Sequence, residues 1–255
     1  MEKKPIYVAF SNLKGGVGKS VFASALASIT HYLHGKDVVL VDCDYPQFSI
    51  KALRDRDMDI VNGNKFLQEK LVNQYNVIKK KAYPILTSQP AEAITSIENY
   101  INQCGKNIDI VFFDMPGNVE SQGIITSLLS FDYIFCPVTA DRMVMQSSLA
   151  FISTLLKIKT MQQNVNLKDI YLFWNSISSK ESKELLNVYL KITKELDLKS
   201  LETRIPNTVK YKKEVSPRNK KFFRSTLFPP DNSMADESKI YKLTDEIYKL
   251  IDLKI

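Results

Sequence analysis

Glycine is scarce, 8 in 255 residues, so three within four positions mark a place where a Cβ would be in the way: Gly15, Gly16 and Gly18. Cysteine is scarcer still. Cys43, Cys104 and Cys136 form no C-x-x-C pair and lie too far apart for a disulfide framework or a zinc site. Each reads as a small buried filler at or near a strand, which makes the cytoplasm the default compartment. Long apolar runs are missing as well. The basic start "MEKK" leads into a run, 6–10, too short for a signal-peptide core, and nothing approaches the roughly 18 apolar residues of a membrane span. No internal repeat, low-complexity tract or linker divides the chain, so one domain over 1–255 is expected.

Acidic residues are missing from one stretch in particular. Between Arg204 and Arg224 stand eight basic residues, Arg204, Lys210, Lys212, Lys213, Arg218, Lys220, Lys221 and Arg224, against the single acid Glu214. That stretch accounts for the whole formal net charge of +7. A local excess of this kind points to a polyanion-binding surface more than to general solubility.

What is present is alternation. Short β-branched or aromatic runs at 6–11, 37–44, 108–117, 132–138, 169–176 and 201–206 read as buried strands. Helix-period segments fill the gaps at 19–34, 91–103, 120–130, 142–161, 179–195 and 235–252. Gly35 stops the first helix, and Ser178 with Glu181 has capping-box spacing before the fifth. Region 55–90 is more polar and irregular and reads as an excursion at the sheet edge. Apolar strands separated by helices mean an α/β fold: one doubly wound, mainly parallel sheet with helices on both faces.

Between the first strand and the first helix lies "AFSNLKGGVGKS". It fits the phosphate-binding pattern G-x-x-x-x-G-K-S/T except at its start, where Leu13 replaces glycine, and it carries a second lysine, Lys14. A loop between a buried strand and a helix N-terminus converges backbone N–H groups on one point, which favours a polyphosphate. Lys19 would reach the β- and γ-phosphates, and the Ser20 hydroxyl would coordinate Mg²⁺. Asp114 ends the strand "IDIVFF", where an aspartate holds a magnesium-bound water. "DCDYPQ" ends the second strand. In a continuing strand its Asp42 and Asp44 would point to one face and order water for the metal or for attack on the γ-phosphate.

These motifs resemble the ParA/MinD group of ATPases. "KGGVGKS" is similar to that group's deviant Walker A, "VDCDYPQ" to its V-D-x-D-P-Q motif, "FFDMPG" to its Walker B, and "RIPNTVKYKKEVS" to its I-P-x-N-V-x-x-x-E-A stretch. The resemblance implies a P-loop ATPase that binds ATP and magnesium and forms a homodimer around nucleotide. Lys14 would be the signature lysine that contacts the partner subunit's ATP. Gly15, Gly16, Val17, Gly18, Lys19, Ser20 and Val21 would cradle the phosphates. Asp42 or Asp44 would position the attacking water, with Asp42 preferred. Ser20, Asp42 and Asp114 would serve the metal, and Asn175, Pro206 and Asn207 the adenine. Three positions depart from the pattern: Val21 stands where threonine is frequent, Tyr45 splits D-P-Q, and Asn207 stands where arginine is common.

Within the group, the scarcity of paired cysteines argues against the nitrogenase iron protein and the arsenite-pump ATPase. Partition-like members bind nonspecific DNA as ATP dimers and need a basic patch, which Lys210, Lys212, Lys213, Arg218, Lys220, Lys221 and Arg224 would supply with interleaved aromatics. The opening also resembles a conjugal-transfer branch of the group carried by conjugative transposons. The expectation is therefore a cytoplasmic switch, with the nucleoid as its place of association if it binds DNA, for partition, maintenance or transfer of a DNA element. Its hydrolysis should be slow alone and stimulated by a partner protein plus DNA. The alternative is a MinD-like recruiter of protein or membrane that does not touch DNA. The C-terminal amphipathic segment, with Ile240, Leu243, Ile247, Leu250 and Ile251 along one side, reads as packing on the sheet, because Asp245, Glu246 and Asp252 would repel an anionic lipid surface.

Overall fold

The structure is a computed structural model that describes residues 4–117, 122–162, 165–217 and 221–255. Among the described residues, seven parallel strands form a single sheet in the order β3-β2-β4-β1-β5-β6-β7. They are β1 (Ile6–Phe10), β2 (Val38–Asp42), β3 (Ile85–Thr87), β4 (Ile110–Asp114), β5 (Tyr133–Val138), β6 (Asp169–Trp174) and β7 (Lys199–Ser200). The central strand β1 has β4 on one side and β5 on the other, so chain order reverses there. A ligand crevice forms outside the carboxyl ends of the strands at such a reversal.

Because side chains alternate across a strand, each central strand feeds both faces. One face takes Val8, Phe10, Phe112, Phe135 and Phe173, covered by α1 (Lys19–Tyr32) and by the C-terminal helices α8 (Asn232–Ser238) and α9 (Ile240–Leu250). The other takes Ala9, Val41, Val111, Phe113, Ile134 and Trp174. It is covered by α4 (Ala93–Cys104), α5 (Gln122–Ser130), α6 (Arg142–Met161) and α7 (Lys183–Glu195). Continuous apolar strands are what burial on both faces demands.

The structure differs from the sequence reading in several places. Region 55–90 is not irregular. It carries most of α2 (Ser49–Asn62), all of α3 (Lys65–Ile78) and the edge strand β3. Its polarity reflects narrow buried stripes, Leu53, Asp57 and Val61 on α2 and Leu67 and Leu71 on α3. The last strand is β7, before 201–206. The 201–206 stretch buries Leu201 and Ile205 and donates from their N–H groups to the Leu172 and Trp174 carbonyls of β6, but it is not a strand and its one bridge runs from Pro206 to Ile177. The C-terminal helix is broken at Lys239, which adopts φ 59°. The N-cap of α7 is Ser182, whose side chain accepts from the Leu185 N–H, and not Ser178. Cys43 and Cys136 are buried as expected, but Cys104 is only half-buried at the end of α4.

The apolar side of α9 is used in the core. Ile240, Leu243, Ile247 and Ile251 are buried there, while Leu250 is 37% exposed. Among the described residues, no helix is long and apolar enough to cross a membrane.

Candidate nucleotide site

The loop after β1 opens onto α1 with no side-chain cap at its N-terminus. The first N–H groups of α1 are therefore left to a ligand or water. Gly16 and Gly18 have φ of 75° and 101°, in the left-handed region. At Gly18 a Cβ would lie 2.8 Å from Asn175 Nδ2 and 2.9 Å from the Phe22 ring, so glycine is required there for space as well as for conformation. Nothing lies within 4 Å of a Cβ at Gly15 or Gly16, which leaves that rim of the loop open. A Cβ at Gly117 would come within 3.2 Å of the Gly15 nitrogen, so the segment after Asp114 packs directly on the phosphate loop.

Lys19 is buried and donates through Nζ to the Lys14 carbonyl at 3.0 Å. Burial pushes its pKa down, and Asp114 and Asp44 pull it back up. The ammonium thus sits inside the loop beside two carboxylates. Val17 is buried, and Lys14, Ser20 and Val21 are half-buried.

Sheet register sets the carboxylates. Asp42 and Asp114 are partners on adjacent strands, and Asp114 also pairs with Phe10 at the root of the loop. Asp114 is fully buried, and neither carboxylate oxygen has a hydrogen-bond partner of normal geometry. Burial pushes its pKa up to about 8. The neighbouring Ser20 hydroxyl and Lys19 ammonium oppose the rise, and Asp42 and Asp44 add to it. A buried carboxyl with two idle oxygens, facing a serine hydroxyl, is an oxygen donor set that fits Mg²⁺, which would ionise it on binding.

Asp42 and Asp44 do not act alike. β2 stops at Asp42, so the expected common face is not maintained. Asp42 Oδ2 accepts from the backbone N–H groups of Ile50 at 2.9 Å and Lys51 at 3.0 Å. Its Oδ1 accepts from the Asp44 N–H at 3.3 Å. It therefore anchors the first turn of α2. Burial still raises its pKa, and those N–H donors moderate the rise. Asp44 is half-exposed at the mouth of the site. Tyr45, the inserted residue, is exposed with its ring edge-on to Phe48.

Asn175 follows β6 and is buried against the loop, donating through Nδ2 to the Val17 carbonyl at 2.8 Å. Its Oδ1 is buried without a partner. Pro206 and Asn207 lie one strand-width away. Pro206 bridges Ile177, and the Asn207 N–H donates to the Ile177 carbonyl at 2.9 Å. The expected base-side residues are thus brought together beside the loop, with the Asn175 amide nitrogen already engaged. Sequence reasoning missed Asn12 and Ser148, which hold the loop from behind. Nothing in their spacing, 136 residues apart, signals the contact.

The basic stretch is less open than its composition suggests. Lys210 pairs with Glu237, and Arg224 with Glu214 at 3.3 Å. Glu214 also takes Arg56 at 2.6 Å, and Lys221 donates to the Ser233 hydroxyl at 3.1 Å. Lys212, Lys213 and Arg204 are exposed. Arg218 and Lys220 lie outside the described residues. The interleaved aromatics are not a stacking surface. Phe222 and Phe223 are buried, and Tyr211 is edge-on to Phe223 with ring centroids 4.8 Å apart. A separate cleft of about 750 Å³ lies at the opposite, amino-terminal edge of the sheet, around Tyr7, Glu98, Asp132 and Lys168, and contains none of the residues above.

A doubly wound parallel sheet whose central strand runs through a glycine loop into a helix defines a P-loop nucleotide-binding protein. The chain belongs to the CobQ/CobB/MinD/ParA nucleotide-binding domain family, whose pattern matches residues 8–220. Among solved structures it is similar to a plasmid partition protein from Borrelia burgdorferi, at 18% identity over 96% of this chain and 100% of that one, with a TM-score of 0.59. It is also similar to cobyrinic acid a,c-diamide synthase from Mycobacterium smegmatis with bound ATP analog and magnesium, at 16% identity over 96% and 95%, TM-score 0.62. A third is the MinC:MinD cell division protein complex of Aquifex aeolicus, at 16% identity over 98% and 97%, TM-score 0.57. At such identities the likeness carries the fold. No curated protein sequence matches the chain.

Proposed function

We propose that this chain is a magnesium-dependent ATPase that acts as an ATP-dependent dimeric switch and binds nonspecific DNA, serving partition, maintenance or transfer of a plasmid or conjugative element. One observation carries the reading: the two-lysine loop stands against a fully buried, unpartnered Asp114 in register with Asp42. Lys19 turns from the Lys14 carbonyl to the β- and γ-phosphates. The loop N–H groups and the first turn of α1 hold the phosphate oxygens. Ser20 and Asp114 would hold magnesium, with Asp42 behind them, and the bound ion would supply positive charge against the phosphates. Lys14 reaches the nucleotide of a second copy. Asp44, free of the backbone contacts that occupy Asp42, orients the attacking water. Asn175, Pro206 and Asn207 flank the base. One domain spans the chain, and the protein works in the cytoplasm, on the nucleoid, with a stimulating protein partner.

Sizing the protein with ATP and with ADP tests the switch. Wild type should dimerise with ATP only, and Lys14→Ala should remain monomeric and lose turnover. Normal turnover in Lys14→Ala would remove the cross-subunit role.

A second reading, a nucleotide-gated recruiter of protein without DNA binding, is favoured by the local partners of Lys210 and Arg224 and by the buried aromatics. Duplex binding across a salt series separates the two. The DNA reading expects ATP-dependent affinity with a log–log salt slope that falls by about 2 in Lys212→Glu/Lys213→Glu. No salt-dependent binding by wild type would favour the recruiter.

A further inference from the structure

Asn12 sits at the root of the loop, fully buried. Its Nδ2 donates to the Pro137 carbonyl at 2.8 Å and to the Ser148 hydroxyl at 2.8 Å. Its Oδ1 accepts from the Lys14 N–H at 3.1 Å. A carbonyl can only accept, so the Pro137 contact fixes which way the amide faces. Ser148 is fully buried as well, and its hydroxyl donates to the Val144 carbonyl at 2.6 Å within α6. One side chain therefore ties together the loop, the end of β5 and the second turn of α6, with its donors and acceptor all satisfied.

The peptide units that flank Lys14 are held in two different ways. Its carbonyl is held by Lys19, its N–H by Asn12. In the reading above, Lys19 leaves that carbonyl for the phosphates when nucleotide enters. The Asn12 contact is braced by Pro137 and Ser148, not by Lys19, so it is the contact left to keep the Lys14 backbone aimed. We propose that Asn12, backed by Ser148, is the positioning residue of Lys14: it fixes the lysine that completes the partner subunit's site and couples its direction to α6. This inference rests on the ATP-switch reading. It adds that the loop's second lysine is aimed by a buried asparagine outside the phosphate-binding pattern. Lost packing would weaken all nucleotide binding together; lost aim should spare the binding of ADP and remove what Lys14 does.

The test compares Asn12→Ala, Ser148→Ala and Ser148→Thr with wild type, each also in a Lys14→Ala background. ADP affinity is measured by calorimetry, ATP-dependent dimerisation by sizing, and kcat and KM by phosphate release. Asn12→Ala should keep ADP affinity within about 3-fold while kcat and dimer affinity each fall at least 10-fold. Ser148→Ala, which leaves one Nδ2 proton unpaired, should show the same split more weakly, and Ser148→Thr should restore it. In the Lys14→Ala background, Asn12→Ala should lower neither the residual single-turnover rate nor ADP affinity any further, because residues that act as one unit are not additive. If wild type dimerises and the variants match it, lose ADP affinity in proportion, or add to Lys14→Ala, the positioning role is wrong. If Asn12→Ala does not fold, the two Ser148 variants decide alone. If wild type neither dimerises nor hydrolyses with ATP, the switch reading falls and this inference with it.

Discussion

Loading the site with magnesium nucleotide should release a proton, and the source should be Asp114. Burial lifts its pKa from the ordinary 3.8 to about 8. At pH 7 a group with that pKa holds about 0.9 of a proton. A divalent cation placed against the carboxylate inverts the balance and ionises it. Calorimetry of magnesium–ADP binding in two buffers of different ionisation enthalpy should therefore show about 0.9 more protons released by wild type than by Asp114→Asn at pH 7. The difference should fall toward about 0.1 at pH 9. Equal release by both proteins, or a difference that does not shrink as pH rises, would refute the argument.

The same shift sets the sign of a stability change. An acid whose folded pKa is raised binds more protons in the native state than in the unfolded chain. Its contribution is present in full below pH 4 and is lost as pH rises through about 8. A separation of roughly four pH units corresponds to something on the order of 5 kcal/mol as an upper limit, since internal relaxation and water entry reduce it. Without nucleotide, wild type should thus lose thermal stability between pH 5 and pH 8.5. Asp114→Asn, which stays neutral and keeps the shape, should have a flatter profile and exceed wild type above pH 8.

Gly18→Ala should cost about 1–3 kcal/mol of stability and at least 10-fold in nucleotide affinity, because the new Cβ meets Asn175 and the Phe22 ring at a φ of 101°; denaturant unfolding and calorimetry check both. Ile247→Ala should lower stability by about 2–5 kcal/mol, as its fully buried side chain leaves a cavity between α9 and the sheet, with no change in sedimentation with anionic vesicles. Asp44→Ala should keep ATP-dependent dimerisation, abolish turnover and leave the unfolding midpoint near wild type. Asp42→Ala should lower that midpoint, because the Ile50 and Lys51 N–H groups lose their acceptor. Turnover that survives in Asp44→Ala and vanishes in a stably folded Asp42→Ala would return the water-orienting role to Asp42.

The elements legible in the sequence are those whose signal is local. The runs around β1, β2, β4, β5 and β6 are buried on both faces, and continuous hydrophobicity over five or six residues is visible without knowing the neighbours. The phosphate loop is legible for the same reason: its glycines, lysines and serine are adjacent. α2 and α3 were not legible, since each buries only a thin stripe and two such helices look like a polar excursion. The break at Lys239 carried no proline or glycine to announce it.

At the site, what escaped sequence reasoning depends on long-range contacts. Asp42 and Asp44 look equivalent in "DCDYPQ", and only the folding of α2 back onto the strand end distinguishes them. Once Asp42 serves as the acceptor for that helix start, it is the carboxylate less free to move with substrate, and Asp44 inherits the open position. The basic stretch shows the same effect with opposite consequence. Its eight cations are counted from one segment, but Glu237, Arg56 and Ser233, which engage that segment, come from elsewhere in the chain. Composition measures the charge a surface could present. The partners drawn in by the fold determine how much of it remains for a polyanion, and here that points to Lys212 and Lys213 before Lys210 and Arg224.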